Sequence, residues 1–168
     1  DLIKNVAQKN YDIEEFNKVK AVVTTQGEKI EKLATNEISI RNKKQQHAIR
    51  FETKVDGEKI DETIIADGIV VATVLGSTGY FQSITRKKFE KGIGLAFNNS
   101  VRKRSPKIGD ITVEFELKRN EAIVTTDNDR REIHITAGDK VEIEEAEENT
   151  RIIRPNEEVS VGGDNRNV

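Results

Sequence analysis

Apolar and polar residues alternate along most of this chain, and the period is that of strands. The clearest case is Ile111-Thr112-Val113-Glu114-Phe115-Glu116-Leu117, where an unbroken period of two gives one buried and one wet face. The same pattern predicts strands over residues 19–25, 37–41, 47–55, 60–66, 92–96, 111–118, 121–126, 131–136, 140–144 and 150–154. Asp56-Gly57, between two of them, signals a hairpin because both residues tolerate positive φ. The run Gly68-Ile69-Val70-Val71-Ala72-Thr73 lacks charge altogether, as expected of a strand buried on both faces. Helical spacing is confined to a short amphipathic arm (Leu2, Ile3, Val6, Ala7), a brief turn after Asp12, and one internal helix over 80–86. Short strands recurring every 8–12 residues or so predict a mainly β fold, a two-sheet β-sandwich-like domain. The expected organisation is an arm over 1–18, a β-rich domain over 19–154 and a polar tail over 155–168.

Composition narrows the chemistry. At about 150 residues per domain, 168 residues predict one domain with a sizeable core. With no Cys, a disulfide framework, a thiolate zinc site and a cysteine nucleophile are all excluded. His47 and His134 are too few for a multi-histidine metal centre, and strand parity turns both outward as surface or structural residues. No run approaches the roughly 18 apolar residues of a membrane span, and no signal-peptide core opens the chain. A start at Asp1 and the lack of any Met suggest a fragment of a longer protein.

Charge is nearly balanced overall but uneven along the chain. Arg86, Lys87, Lys88, Lys91, Arg102, Lys103, Arg104 and Lys107 stand against the single acid Glu90 in that stretch. From Val141 onward eight acids face three arginines. The basic segment is either a site for a polyanion, such as a triphosphate or nucleic acid, or a solvated loop balanced by the acidic tail.

The most distinctive stretch is Asp67-Gly68-Ile69-Val70-Val71-Ala72-Thr73-Val74-Leu75-Gly76-Ser77-Thr78-Gly79-Tyr80-Phe81-Gln82-Ser83. A buried strand here feeds a turn of small residues that opens a helix. Gly76 and Gly79 admit a close backbone approach, while Ser77 and Thr78 bring hydroxyls and free amides to the helix start. Tyr80 supplies an aromatic face with a polar tip, and Ser83 follows one turn later on the same side. Such a set suits a nucleoside. The plainer alternative is a helix-capping turn with a core tyrosine.

This segment resembles the signature of the NAD kinases, whose C-terminal domain carries a similar Asp-Gly…Thr-Pro-x-Gly-Ser-Thr-Ala-Tyr sequence. Asn36-Glu37 resembles the family's Asn-Glu pair, and Ala96-Phe97-Asn98-Asn99 lies where the family has the strand after its glycine-turn helix. Thr126-Asp127-Asn128-Asp129 with Ala137-Gly138-Asp139-Lys140-Val141 resembles its late Asp-Gly-Gln turn and Gly-Asp strand. The matches keep their order across residues 20–154. Val74 replaces the usual Pro, Gly79 the usual Ala, and Thr85-Arg86-Lys87-Lys88 the family's glycine pair. The upstream Gly-Gly-Asp-Gly motif, which carries the family's general base, is absent; Gly162-Gly163-Asp164-Asn165 is a superficial likeness at the wrong end.

What the resemblance implies is phosphoryl transfer from ATP or polyphosphate, with Mg²⁺ or another divalent ion, to the 2′-hydroxyl of the adenosine ribose of NAD. Asn36 and Glu37 would hold ribose hydroxyls or the adenine edge, and Asp67 would accept from the nicotinamide carboxamide. Thr78, Gly79, Tyr80 and Ser83 would line the adenosine pocket with Leu75 at its wall, and Leu95 and Phe97 would touch the nicotinamide. No catalytic residue and no metal ligand is assigned within the chain, which is expected to be inactive alone. A cytoplasmic homo-oligomer, dimer or tetramer, without membrane or nucleic-acid partners, is also implied. The alternatives are a non-catalytic nucleotide-binding regulatory domain and the C-terminal domain of a lipid or diacylglycerol-type kinase.

Overall fold

Two antiparallel sheets account for most of the alternation. The computed structural model describes residues 2–127, 129 and 131–156. In the first sheet β1 (Tyr11–Thr25) turns into β2 (Glu28–Ala34) through Gln26-Gly27, both at positive φ. The sheet continues through β13 (Lys140–Pro155), β10 (Val113–Arg119) and β4 (Ile49–Val55) to β5 (Glu58–Lys59), with β6 (Ile64–Ala66) also on β4. Asp56 and Gly57, at φ 52° and 79°, make the expected tight turn between β4 and β5. The second sheet runs β12 (Ile133–Ile135), β11 (Ala122–Thr126), β3 (Glu37–Asn42), β7 (Gly68–Ala72), β8 (Ile93–Asn98), β9 (Lys107–Gly109).

Alternate residues of both sheets meet in one core. Phe51 and Phe115 stack at 4.7 Å between ring centroids, each in the middle of its strand. Val113, Phe115 and Leu117 point inward while Glu114 and Glu116 stay partly wet, as the period of two requires. From the second sheet Ile38, Ile40, Ile69, Val71, Leu95 and Phe97 join the same cluster. β7 is buried on its outer face too, where Ala72 and Ala96 pack under Phe81 of helix α2 (Tyr80–Thr85). Complete burial of Phe81 contributes about 2–3 kcal/mol, and its edge-to-face contact with Phe89 at 5.1 Å closes this outer layer.

The described residues fall into two compact units, Phe16–Thr150 and a smaller one formed by residues 2–15 and 151–156. In that smaller unit helix α1 (Leu2–Ala7) is tied by Asn5 Nδ2, which donates to the Asn156 carbonyl at 3.2 Å. Arg154 pairs with Glu14 at 2.9 Å and Arg151 with Glu15 at 3.2 Å.

Five expectations change. The turn after Asp12 is strand, since β1 already starts at Tyr11; Ile13 and Phe16 had imitated a helical spacing. β2 was not expected, because Ile30 and Leu33 also sit three apart, yet the strand turns Ile30, Lys32 and Ala34 to one side. Strands 140–144 and 150–154 are one, and β9 is a short edge strand without an alternating pattern. His47 lies in the loop before β4 rather than on it, although it is exposed as expected, like His134.

Thr53 is fully buried opposite Phe115, and its hydroxyl has no hydrogen-bond partner. Replacing it by Val keeps the shape and removes the stranded hydroxyl. Thr53→Val is expected to raise the thermal midpoint by about 2–4 °C in a scanning calorimeter, corresponding to about 1 kcal/mol.

Candidate functional site

The site grows from the two ends of β7. At its far end Thr73 is fully buried; its hydroxyl donates to the Thr35 carbonyl at 2.6 Å and its N–H to the Asn36 carbonyl at 2.8 Å. The Gly76 N–H then donates to Thr73 Oγ1 at 3.2 Å. Gly76 is pressed so closely on the same peptide that a Cβ there would stand 2.1 Å from the Asn36 oxygen. The glycine turn and the Asn36-Glu37 pair are therefore one structure. A 3-10 turn (Leu75–Thr78) leads from it into α2, which a left-handed Arg86 at φ 61° ends.

The amides expected to be free at this turn are largely used within it. Ser77 N–H donates to the Val74 carbonyl at 3.2 Å, and Gly79 N–H to Gly76 at 3.0 Å. Ser77 itself is buried, with its hydroxyl toward the Phe89 carbonyl at 3.5 Å. Thr78, Gly79, Tyr80 and Ser83 remain exposed in a row, and Leu75 is half-buried beside them.

At the near end of β7, Gly68 pairs with Asn98 of β8 and packs on the Ile40 carbonyl at a distance no side chain would allow. Asp67, just before it, is half-buried and accepts a hydrogen bond from Asn99 Nδ2 at 2.7 Å. Asn98 Nδ2 donates to the Tyr80 hydroxyl at 2.9 Å. Adjacent asparagines thus hold Tyr80 and Asp67, one each, a role that their spacing in the sequence does not announce.

Strand parity divides β8 into two faces. Leu95 and Phe97 point into the sandwich, while Gly94, Ala96 and Asn98 face α2. Leu95 is fully buried; Phe97 keeps only an edge, at 7%, in a cleft shared with Tyr80 and Ser83.

Glu37 and Asn36 are shaped by a residue from another strand. The Asp127 carboxylate, at the end of β11, accepts the backbone N–H groups of Thr35, Asn36 (2.6 Å) and Glu37 (2.9 Å). It fixes the peptide that carries the pair. Burial and then the Asp127 charge push the Glu37 carboxyl above its ordinary pKa. Asp139, in the other half of that late motif, accepts from Thr25 Oγ1 at 2.9 Å and from Thr136 N–H at 2.7 Å, a structural clasp. Asn128 and Gly162-Gly163-Asp164-Asn165 lie outside the described residues.

No protein-family model matches the chain. The chain is 27% identical to the NAD kinase of Methanosarcina acetivorans over 162 residues, which is 92% of this chain and 58% of that protein. It is 36% identical to the NAD kinase of Methanosarcina mazei over 83 residues, 49% of this chain and 28% of the relative. Among solved structures, an NAD kinase from Archaeoglobus fulgidus in complex with ATP superposes at a TM-score of 0.72 and 26% identity, covering 92% of this chain and 59% of that one. Yeast NADH kinase complexed with NADH shares the fold, with a TM-score of 0.77 at 16% identity, over 86% of this chain and 44% of that one. The chain spans a little over half the length of the Methanosarcina acetivorans relative. It is a relative of the NAD kinases, similar to their C-terminal β-sandwich domain.

Two substitutions test the electrostatics of the Asn36-Glu37 peptide. Asp127→Ala strands three N–H donors and is expected to cost about 2–3 kcal/mol in denaturant unfolding. Glu37→Gln should act oppositely. Its raised pKa means that the ionised carboxylate costs stability above the folded-state pKa, and that the cost vanishes as pH falls below the unfolded value near about 4.3. Glu37→Gln is therefore expected to be more stable than wild type at neutral pH, with the difference closing in acid. An equal difference at both ends of the titration would show that charge is not the cause.

Proposed function

We propose that this chain, a relative of the NAD kinases, is the NAD-binding part of such an enzyme. The reaction is transfer of a phosphoryl group from ATP or polyphosphate to the 2′-hydroxyl of the adenosine ribose of NAD, giving NADP. The observation that carries the reading is the joining of Asn36-Glu37 to the Gly-Ser-Thr turn through Gly76 and Thr73. A capping turn needs no such partner, whereas a pocket needs both walls held to one another. The two ends of β7 lie about 13 Å apart at a strand rise of about 3.3 Å per residue, a span over which an extended dinucleotide can meet both.

Within this reading Glu37 and Asn36 accept from and donate to ribose hydroxyls or the adenine edge, a pairing common to nucleotide folds. Thr78, Gly79, Tyr80 and Ser83 line the adenosine pocket, with Leu75 at its wall. Asp67, already oriented by Asn99, accepts from the nicotinamide carboxamide. Phe97 contributes its exposed edge at most, and Leu95 acts only through the core.

In the reaction the 2′-oxygen forms a bond to the donor's terminal phosphorus, the bond from that phosphorus to the leaving phosphate breaks, and the hydroxyl proton passes to a base. No residue of this chain is assigned as that base. Among the described residues no group of three acidic or histidine side chains gathers to hold a metal. The divalent ion that accompanies the donor therefore has no ligand assigned in this chain, and no step is routed through it. No described helix is long and apolar enough to cross a membrane. A cytoplasmic homo-oligomer completes the proposal, from the resemblance alone.

Isothermal titration with NAD is expected to give saturable binding, weakened at least tenfold or so in Asn36→Ala, which loses a hydrogen bond to the ligand. The chain alone should form no NADP. Saturable binding of diacylglycerol in place of NAD would sink the reading, and NADP formation by the chain alone would show that it does hold a base.

A further inference from the structure

One buried polar side chain is not used by the proposed site. Asn42, the last residue of β3, is 6% exposed and follows Ile38 and Ile40 on the inward side of that strand. A core position at the strand end thus carries an amide in place of a hydrocarbon. Burying such a group is costly unless its hydrogen bonds are met.

The amide meets more acceptors than it has hydrogens. Asn42 Nδ2 lies 3.2 Å from the Lys44 carbonyl oxygen, 3.4 Å from that of Gln45 and 3.1 Å from that of His47. The fourth acceptor is Asp67 Oδ1 at 3.5 Å. Four oxygens around one atom identify it as the nitrogen of the amide. Two hydrogens divided among four acceptors give long bonds, and the one to Asp67 is the longest. Asn42 therefore gathers the loop after β3 and steers the carboxylate without using up its oxygen.

The main chain leaves Asp67 little else to vary. Asn42 stands opposite it, one place past the Arg41–Gly68 pair, and the Asn42 N–H donates to the Asp67 carbonyl at 2.7 Å. On the other side the Asp67 N–H donates to the Asn98 carbonyl at 3.0 Å. With the backbone held between β3 and β8, side-chain rotation is the remaining freedom. Asn99 Nδ2 takes Oδ2, while Asn42 faces Oδ1. The two amides are unlike, since Asn99 is exposed at φ 48° and Asn42 is buried against three carbonyls. Both are neutral, and among the described residues no Lys or Arg pairs with Asp67, so its charge stays available to strengthen a ligand's hydrogen bond.

We infer that Asn42 is a positioning residue for Asp67, fixing the rotation of the carboxylate so that Oδ1 remains the acceptor for the ligand's carboxamide. The inference rests on the proposed contact between Asp67 and nicotinamide. An amide that only closed the loop would need the three carbonyls and no carboxylate.

ADP-ribose, which keeps the adenosine and both riboses of NAD but has no nicotinamide, isolates the effect. Calorimetric titration of the 168-residue chain is expected to show NAD binding more tightly than ADP-ribose, and Asp67→Ala should remove that margin. Asn42→Ser, which shortens the side chain and removes the amide, should weaken NAD about fivefold or more while ADP-ribose changes less than about twofold. A wild-type margin in Asn42→Ser, with the margin lost in Asp67→Ala, overturns the inference and leaves the proposed function standing. Equal weakening of both ligands in Asn42→Ser also overturns it, because the residue is then structural only. An unchanged margin in Asp67→Ala removes the nicotinamide contact itself, and the inference with it. The wild-type chain supplies a measurement that needs no variant to fold. NAD, but not ADP-ribose, is expected to shift the Asn42 side-chain amide signals in a nitrogen-edited NMR spectrum, and equal shifts with both ligands overturn the inference.

Discussion

The contact that joins the two halves of the site is backbone on backbone, Gly76 against the Asn36 peptide. Everything functional in the second sheet depends on that approach. With any Cβ at Gly76 the turn would have to lift from β3, and Thr73, fully buried between them, would lose the acceptors for its hydroxyl and its N–H. A buried hydroxyl without a partner costs about 1–3 kcal/mol, comparable to the whole contribution of a core side chain. Steric closeness and polar satisfaction are thus the same constraint viewed from two atoms. The constraint also explains why the turn offers so little free hydrogen-bonding capacity, since its amides close the turn itself and its exposed row of side chains faces outward.

A different balance governs the outer layer. α2 has only six residues, too short to be stable alone, and it exists because Phe81 is fully buried over Ala72 and Ala96 with Phe89 at its edge. The small side chains of β7 and β8 on that face let the helix sit low enough for the Tyr80 hydroxyl to reach Asn98. Gly94 belongs to the same adjustment: a Cβ there would stand 2.4 Å from the Phe89 ring. Glycine and alanine on one face and isoleucine, leucine and phenylalanine on the other give β8 two distinct surfaces, one for a helix and one for a sheet.

Much of this was legible in the residues. Alternation located the strands whose two faces differ in polarity, as in β10, and the Asp56-Gly57 turn fixed the register of its hairpin. Where charged residues sit on the inner side the pattern fails: Lys32 occupies an inward position of β2 because Asp129 meets it at 2.7 Å, a contact invisible locally. The candidate site was legible as motifs but not as geometry. Parity within residues 93–98 puts Leu95 and Asn98 on opposite faces from the sequence alone; which face meets the helix only the fold shows. Asp127 could be singled out only by the resemblance, since its three backbone partners lie some ninety positions earlier in the chain, at separations of 90 to 92.

That separation bears on how the protein is made. The peptide of Asn36 and Glu37 emerges early in synthesis, yet it has no acceptor for its N–H groups until β11 has been added and has paired with β3. Contacts between residues so distant in sequence form late and slowly, because the intervening loop must close before they repay its entropy. A nascent chain that ends before Asp127 therefore carries every residue of the glycine turn but lacks the clamp that shapes the pocket. The Asn36-Glu37 peptide therefore takes its shape once β11 has joined β3, before β13 and β12 have been added to the two sheets.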